Sequence, residues 1–243
     1  MKLLFLGTGT SVGVPMIGCR CRVCLSADPR NKRSRASVLI RDGQTTVVID
    51  TAPEFRTQAL RFGIDRLDAV LYTHPHADHI FGFDDLRAFT MVHGTPVPIF
   101  GQRDTLAELR RIFRYAFHSA QSGSSKPEVV LHEVDGPFAA AGLRFTPVRV
   151  WHGQMPVTGY RIGNVAYVTD VSRIPDESMA LLQGLEVLVL GALRFRPHPN
   201  HMSIDEALAV VDELKPRKAY FTHISHEIDH AAVDDLLPPH VHL

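Results

Sequence analysis

The sequence predicts an α/β protein with two β-sheets and helices outside them, arranged as one domain over residues 1–243. Two observations carry that prediction. Short apolar, β-branched runs recur along the whole chain, too many for a single parallel sheet wrapped by helices. Helical stretches alternate with them, too many for an all-β sandwich. The 243 residues, 45% of them hydrophobic and 21% charged, can bury a sizeable core, and no internal repeat or linker-like shift of composition divides them.

In chain order, strands are expected at Leu3–Leu6, Val38–Ile40, Thr46–Ile49, Ala69–Tyr72, Val97–Phe100, Val129–Leu131, Leu143–Trp151, Val165–Val168, Val187–Leu190 and Ala219–Phe221. Many end in Gly, Asp or His, so the strand delivers a polar residue at its tip. Helices are expected at Glu54–Phe62, Thr105–Phe117, Glu177–Leu182 and Ser203–Leu214. The last opens with Ser203 and carries Glu206 three residues on, a capping box, followed by Ile204, Leu208 and Val211 at helical spacing. The Gly/Ser-rich stretch Ala120–Lys126 reads as a mobile surface loop.

Lys plus Arg (26) balance Asp plus Glu (26), so the formal net charge is zero. A neutral chain has no long-range field for a polyanion, which disfavours a dedicated nucleic-acid or membrane-surface binder. No apolar run approaches the length of a membrane span, and the N-terminus is too short in apolar residues for a signal segment; a cytoplasmic protein is expected. Cys19, Cys21 and Cys24 are the only cysteines. An odd, crowded set cannot form a disulfide framework, but three thiolates suit a tetrahedral zinc lacking one ligand, in a loop at about residues 17–26. The alternative is three reduced, idle thiols.

Fourteen histidines are the other unusual feature. Tyr72-Thr73-His74-Pro75-His76-Ala77-Asp78-His79 leaves a strand with four ligand-type side chains in six positions. His74 and His76 could serve one ion, Asp78 and His79 a second; a solvated polar loop is the bland alternative.

This run resembles the signature of the metallo-β-lactamase superfamily, and further matches follow in order. Asp50 resembles its early structural aspartate, His152 its third-motif histidine, Asp170 its metal-bridging aspartate and His223 its final histidine ligand. The resemblance implies an αββα sandwich, two mixed β-sheets flanked by helices. It also implies a catalytic site for two divalent ions held by His74, His76, Asp78, His79, His152, Asp170 and His223, with Asp50 orienting ligands from behind. Redox members place Glu where His76 stands, and members acting on antibiotics place Cys where Asp170 stands. The all-His/Asp set therefore points to zinc or manganese as a Lewis acid, with Asp78 in the reaction centre and a bridging hydroxide suited to ester hydrolysis.

Gly7-Thr8-Gly9-Thr10-Ser11 through Cys24 is similar to a narrower group, the PhnP-like phosphodiesterases that open a cyclic ribose phosphate. That resemblance implies a structural zinc on Cys19, Cys21, Cys24 and His226. It also gives His201, just before the last long helix, the role of general acid for the leaving group, which an ordinary imidazole pKa allows. Beside these readings stand a surface position for His226 and a solvated helix-start position for His201. His198 and Arg194 are candidates for substrate contact, although Arg194 and Arg196 also fit a solvated face. The basic run Asp28–Arg35 could meet an anion, but a surface role is favoured, and the early glycines are expected to let the backbone turn near the metals.

The function expected is hydrolysis of a small cyclic or nucleotide-like phosphodiester, by a chain that could form a homodimer. A tRNA 3′-processing nuclease ranks lower for lack of a basic arm. A non-hydrolytic accessory protein, as in pyrroloquinoline quinone synthesis, ranks lower because the ligand set is intact.

Overall fold

Strands buried on both faces are written as unbroken apolar runs, and Val47–Ile49 and Ala69–Leu71 are buried at every residue. The computed structural model describes residues 1–118 and 125–243, so most of the Ala120–Lys126 stretch lies outside the described residues. The chain divides into two compact units, one of Met1–Gly7 with Ser37–Arg144, the other of Thr8–Ala36 with Phe145–Leu243.

The first unit holds a six-stranded mixed sheet: β1 (Lys2–Gly7), β2 (Ser37–Asp42), β3 (Thr45–Ile49), β4 (Ala69–Leu71), β5 (Val97–Gly101) and β6 (Val129–Glu133), paired in that order. β1, β2 and β3 pair antiparallel; β3 to β6 run parallel. The helices Phe55–Arg61, Leu86–His93 and Arg103–Ile112 send Phe55, Leu86, Phe89, Leu106 and Leu109 into a core with Val48, Val70 and Ile99. Each such side chain removed from water contributes roughly 1.5–3 kcal/mol. Gly82 is required by packing: a Cβ there would stand 2.3 Å from the Ala52 carbonyl oxygen and 2.5 Å from Phe55 Cβ.

The second sheet is seven-stranded and mixed: β7 (Phe138–Ala140), β8 (Leu143–His152), β9 (Met155–Ile162), β10 (Val165–Val168), β11 (Val187–Gly191), β12 (Lys218–Thr222) and β13 (Val241–His242), in reverse sequence order across the sheet. β8, β9 and β10 pair antiparallel, and β10 to β13 parallel. Helix Ile204–Leu214 buries Ile204, Ala207, Val211 and Leu214 against β10, β11 and β12. The expected capping box is present: Glu206 N–H donates to Ser203 Oγ at 3.2 Å, and Ser203 N–H to Glu206 Oε2 at 2.7 Å.

Two mixed sheets with helices match the expectation, and every expected strand exists within a residue or two of its predicted bounds. Three strands escaped prediction. β9 carries Pro156 and Gly159, which read as breakers; here a Cβ on Gly159 would meet Tyr167 O at 3.0 Å, so the small residue permits close packing. β7 and β13 are too short to show a period. The helix expected at Thr105–Phe117 is two, Arg103–Ile112 and Arg114–Phe117, interrupted at Phe113 with ψ 40°.

Within the basic run Arg33 departs from the expected surface role, while Arg30 and Lys32 are exposed. Arg33 is 7% exposed and donates to Thr8 Oγ1 and His230 Nδ1, each at 2.8 Å. Arg30 pairs with Asp28, Lys32 caps the Cys24 carbonyl and Arg35 the Ser11 carbonyl. The segment packs back on residues 8–24, where Lys32 and Arg35 donate to the Cys24 and Ser11 carbonyls and Arg33 to the Thr8 hydroxyl. Gly9 serves this same approach, since a Cβ on it would lie 2.7 Å from Arg33 O, and its other side bridges Ile224, next to His223.

Candidate metal centres and the residues that build them

In the first unit the parallel strands β3 and β4 end in Asp50 and in Tyr72-Thr73-His74, the carboxyl edge where open α/β sheets place ligands. Asp50, wholly buried at φ 64°, accepts Thr73 N–H (Oδ1, 2.8 Å), the Thr73 hydroxyl (Oδ2, 2.8 Å) and His79 Nδ1 (Oδ2, 2.7 Å). Burial pushes the Asp50 carboxyl above its usual range, while His79 and the Thr73 donors pull it back. The Thr73 hydroxyl spends its one proton on Asp50, so its oxygen takes Nδ1–H from His74 at 2.9 Å. Both tautomers are thereby assigned: His74 and His79 carry the proton on Nδ1 and turn Nε2 outward as a lone pair. His79 Nε2 lies 3.3 Å from Asp78 Oδ2. His76 is exposed, with its ring 4.7 Å from that of His74.

In the second unit the same logic recurs. His152, at the tip of β8, is bonded through Nδ1 to the Asn200 carbonyl oxygen at 2.7 Å, and a carbonyl can only accept, so Nε2 again carries the lone pair. Asp170 and His223 follow β10 and β12 with φ 46° and 60°, left-handed conformations that cost of order 1–3 kcal/mol each and collect where function requires them. A Cβ on Gly191 would be 3.1 Å from Asp170 N, so β11 is thinned beside that turn. His223 Nε2 stands 3.3 Å from Asp170 Oδ1. Ligand atoms of His152, Asp170 and His201 all lie within 4.8 Å of one another.

These donor sets fit divalent cations. Neighbouring ligands on one ion with bonds of about 2.1 Å are about 2.9–3.4 Å apart, which the two 3.3 Å pairs match. Nitrogen and carboxylate oxygen without thiolate suit zinc or manganese.

The cysteine loop is a separate cluster. The ligand atoms of Cys19, Cys21, Cys24 and His226 lie within 4.8 Å of one another, with His226 Nδ1 3.4 Å from the sulfurs of Cys19 and Cys21. A tetrahedral zinc places sulfur and nitrogen about 3.5 Å apart. Backbone N–H groups of Cys21, Cys24 and Met16 point at the sulfurs of Cys19, Cys21 and Cys24 in turn, an environment for thiolates. The Cys24 N–H first, and His226 second, lower the Cys21 thiol to about 6; burial raises Cys24 to about 11.

His201 stacks on His223 (ring centroids 4.8 Å, 17°) and lies 4.4 Å from His152 and 5.1 Å from His198. Its expected general-acid role assumed ordinary imidazole acidity. Burial first, then His223, lower it to about 3, so at neutral pH the ring is neutral and offers one N–H. His198 is lowered by burial and accepts Asn200 N–H at 3.2 Å. Arg194 is directed to Glu227 Oε1 at 2.7 Å, with Arg196 at 3.2 Å. Trp151 lies between the guanidiniums of Arg149 and Arg173, 5.7 and 5.3 Å from its ring centre.

Sequence reasoning missed Thr73, Asn200 and Glu227. Thr73 stands beside His74 and could have been suspected as a relay; the Asn200 contact is a main-chain carbonyl, to which no residue type points.

Among the described residues no helix is long and apolar enough to cross a membrane. Residues 45–224 match the family described as the beta-lactamase superfamily domain. A crystal structure of a diphosphatase from the PhnP family is similar over 99% of this chain and 93% of its own, at 43% identity and a TM-score of 0.93. An octanoyltransferase of Porphyromonas gingivalis is 39% identical over 247 residues, spanning all of this chain and 50% of that protein. A ribonuclease Z of Geobacillus kaustophilus is 32% identical over 219 residues, 87% of this chain and 60% of that protein. The chain thus spans about half the length of the octanoyltransferase and three-fifths of the nuclease. With its two mixed sheets and these donor clusters, the chain belongs to the beta-lactamase superfamily and, within it, to the PhnP family.

Proposed function

We propose that this chain hydrolyses a small cyclic or nucleotide-like phosphodiester with two divalent ions, zinc or manganese, and carries a third, structural zinc on Cys19, Cys21, Cys24 and His226. The observation that carries the reading is the shared tautomer of His74, His79 and His152: each Nδ1–H is spent on an acceptor, so each Nε2 is prepared to bind a cation. The order His74, His76, Asp78, His79, His152, Asp170, His223 along the chain is that of the family signature. Divalent ions there would supply Lewis acidity toward phosphoryl oxygens and make water acidic enough to attack at neutral pH.

Around that chemistry the chain's own groups have distinct tasks. Asp50 and Thr73 keep His79 and His74 in the binding tautomer. Asn200 does the same for His152. His201, neutral, donates its ring N–H to the oxygen that leaves. The chain has no net charge, so attraction of the substrate is local, which suits a small anion better than a long nucleic acid.

The deciding experiment assays cyclic and linear phosphodiesters with zinc and with manganese, beside the double variant H76A/D78A. Turnover of bis-p-nitrophenyl phosphate by the wild type and its loss in a folded double variant are expected; equal turnover in both would overturn the reading. A phosphoanhydride in place of the ester is a second reading, favoured by the diphosphatase at 43% identity, and a dinucleoside diphosphate in the same panel tests it. Cleavage of precursor tRNA alone would favour the nuclease alternative, and metal binding with no turnover the accessory one.

A further inference from the structure

Five residues of the segment after β12 carry three different duties. His223 sits at the strand tip, His226 Nδ1 faces the cysteine sulfurs, and Glu227 reaches sideways to the loop 194–201. The neck of that loop is closed by main-chain bonds: Leu193 N–H to Met202 O at 2.9 Å, and Ile204 N–H to Arg194 O at 2.8 Å. Ser225 N–H binds Leu193 O at 3.0 Å, so the neck rests on the His223–Glu227 segment. At the far side Asn200 receives His152, and His201 stacks on His223.

Above the neck, the rising arm is held to this segment by one carboxylate. Glu227 Oε1 accepts Arg194 Nη1 at 2.7 Å and Arg196 Nη2 at 3.2 Å, while Arg194 Nε closes the turn onto Arg196 O at 3.2 Å. Glu227 N–H is itself bound to Ser225 Oγ at 3.2 Å, which orients the residue. Charge-assisted bonds of this kind are directional, and an arginine shared with a carboxylate and a carbonyl has few other places to go.

We propose that Glu227, with Arg194, is a latch that sets the position of His201: a pair of positioning residues that couples the cysteine–histidine cluster to departure of the leaving group. The inference rests on the phosphodiesterase reading for its kinetic consequence and on geometry alone for its structural one. Arg194 thereby acts through His201 rather than by clamping substrate.

The latch makes a leaving-group-dependent demand. An alkoxide leaving from a 2′,3′-cyclic nucleotide needs a hydrogen-bond donor; p-nitrophenolate, a stable anion, scarcely does. E227Q, R194M and the double variant are assayed on both substrates, with zinc content and thermal midpoint measured on each protein. E227Q and R194M should each lower kcat on the cyclic ester about tenfold, leave its KM and the turnover of bis-p-nitrophenyl phosphate within about twofold, and not add in the double variant. In parallel, carbethoxylation of His201 by diethylpyrocarbonate, mapped by peptide mass, should quicken several-fold in E227Q, with His230 as the unchanged control. Equal loss on both substrates, additive effects, or an unchanged His201 modification rate would overturn the latch. A wild type that cleaves neither ester would sink the phosphodiesterase reading instead, and the modification arm would still judge the latch.

Discussion

Replacing Asp50 by Asn isolates the tautomer argument. The variant keeps the side-chain shape and, unlike Ala, tolerates the left-handed φ of 64°. Asp50 offers two acceptor oxygens to three donors: Thr73 N–H on Oδ1, and the Thr73 hydroxyl with His79 Nδ1 on Oδ2. Asn retains one oxygen. With that oxygen on Thr73 N–H, the new amide nitrogen faces a hydroxyl, which can turn to accept, and a ring nitrogen, which accepts only if the His79 proton moves to Nε2. One buried donor left unmet costs about 1–3 kcal/mol, so the fold should survive with that loss in urea titration. The larger effect falls on metal binding, because Nε2–H has no lone pair. Loss of such a partner typically lowers metal affinity about 10–100-fold, or about 1.4–2.7 kcal/mol. Competition titration with a chromophoric chelator should show one class of catalytic ion weakened by that factor while the cysteine-bound zinc is unaffected. Unchanged affinity in a folded D50N protein would refute the reasoning, since Asp50 would then not set the tautomer.

Other outcomes follow from the same structure. Gly82→Ala forces a Cβ into the Ala52 carbonyl and Phe55, and should lower stability by about 1–3 kcal/mol or more in urea unfolding. Ser203→Ala removes the helix cap and should cost about 1 kcal/mol by the same measurement, with kcat less affected than in E227Q. Cys21→Ser should release close to one zinc per chain on dialysis, read with a colorimetric zinc dye, because hydroxyl replaces the thiolate that Cys24 N–H and His226 stabilise. The pH dependence has a definite sign at His230. Burial, then Arg33 and Arg30, hold its imidazole below the ordinary value, against Asp234 and Asp28. The folded chain therefore binds fewer protons there than the unfolded one; its stabilising contribution is complete above about pH 6.5 and is lost as pH falls below that. His230→Gln should flatten the fall of the thermal midpoint between about pH 6.5 and 5 relative to wild type, and an identical slope would contradict the Arg33–His230 contact.

Part of the candidate site was legible from local spacing, since His74 to His79 leave one strand in one turn. Asp50, His152, Asp170 and His223, scattered along the chain, were reached only through their resemblance to the superfamily signature, although each follows an apolar strand. Capping at Ser203 was legible from local spacing too, since residues three apart on a helix must meet. Arg33 was not. Lys32 and Arg30 beside it are exposed cations, whereas Thr8 and His230, brought from distant parts of the chain, accept its hydrogen bonds, and Asp234 and Asp28 offset the cost of burying its charge. β9 was hidden because Pro156 and Gly159 signal a break locally, whereas pairing on both sides supplies the missing order.

By itself the sequence determined the α/β class, the strands and the residue types able to bind metal, because these depend on periodicity and on short-range spacing. Tertiary structure alone decided the acidity of His201, the tautomers of His74, His79 and His152, and the pairing of Arg194 with Glu227. Each of those depends on burial or on a partner that is remote in sequence or belongs to the main chain; for His74 that partner is Asp50, acting through the adjacent Thr73 hydroxyl. A residue's type says which protons it can carry; only its surroundings in space say where they go.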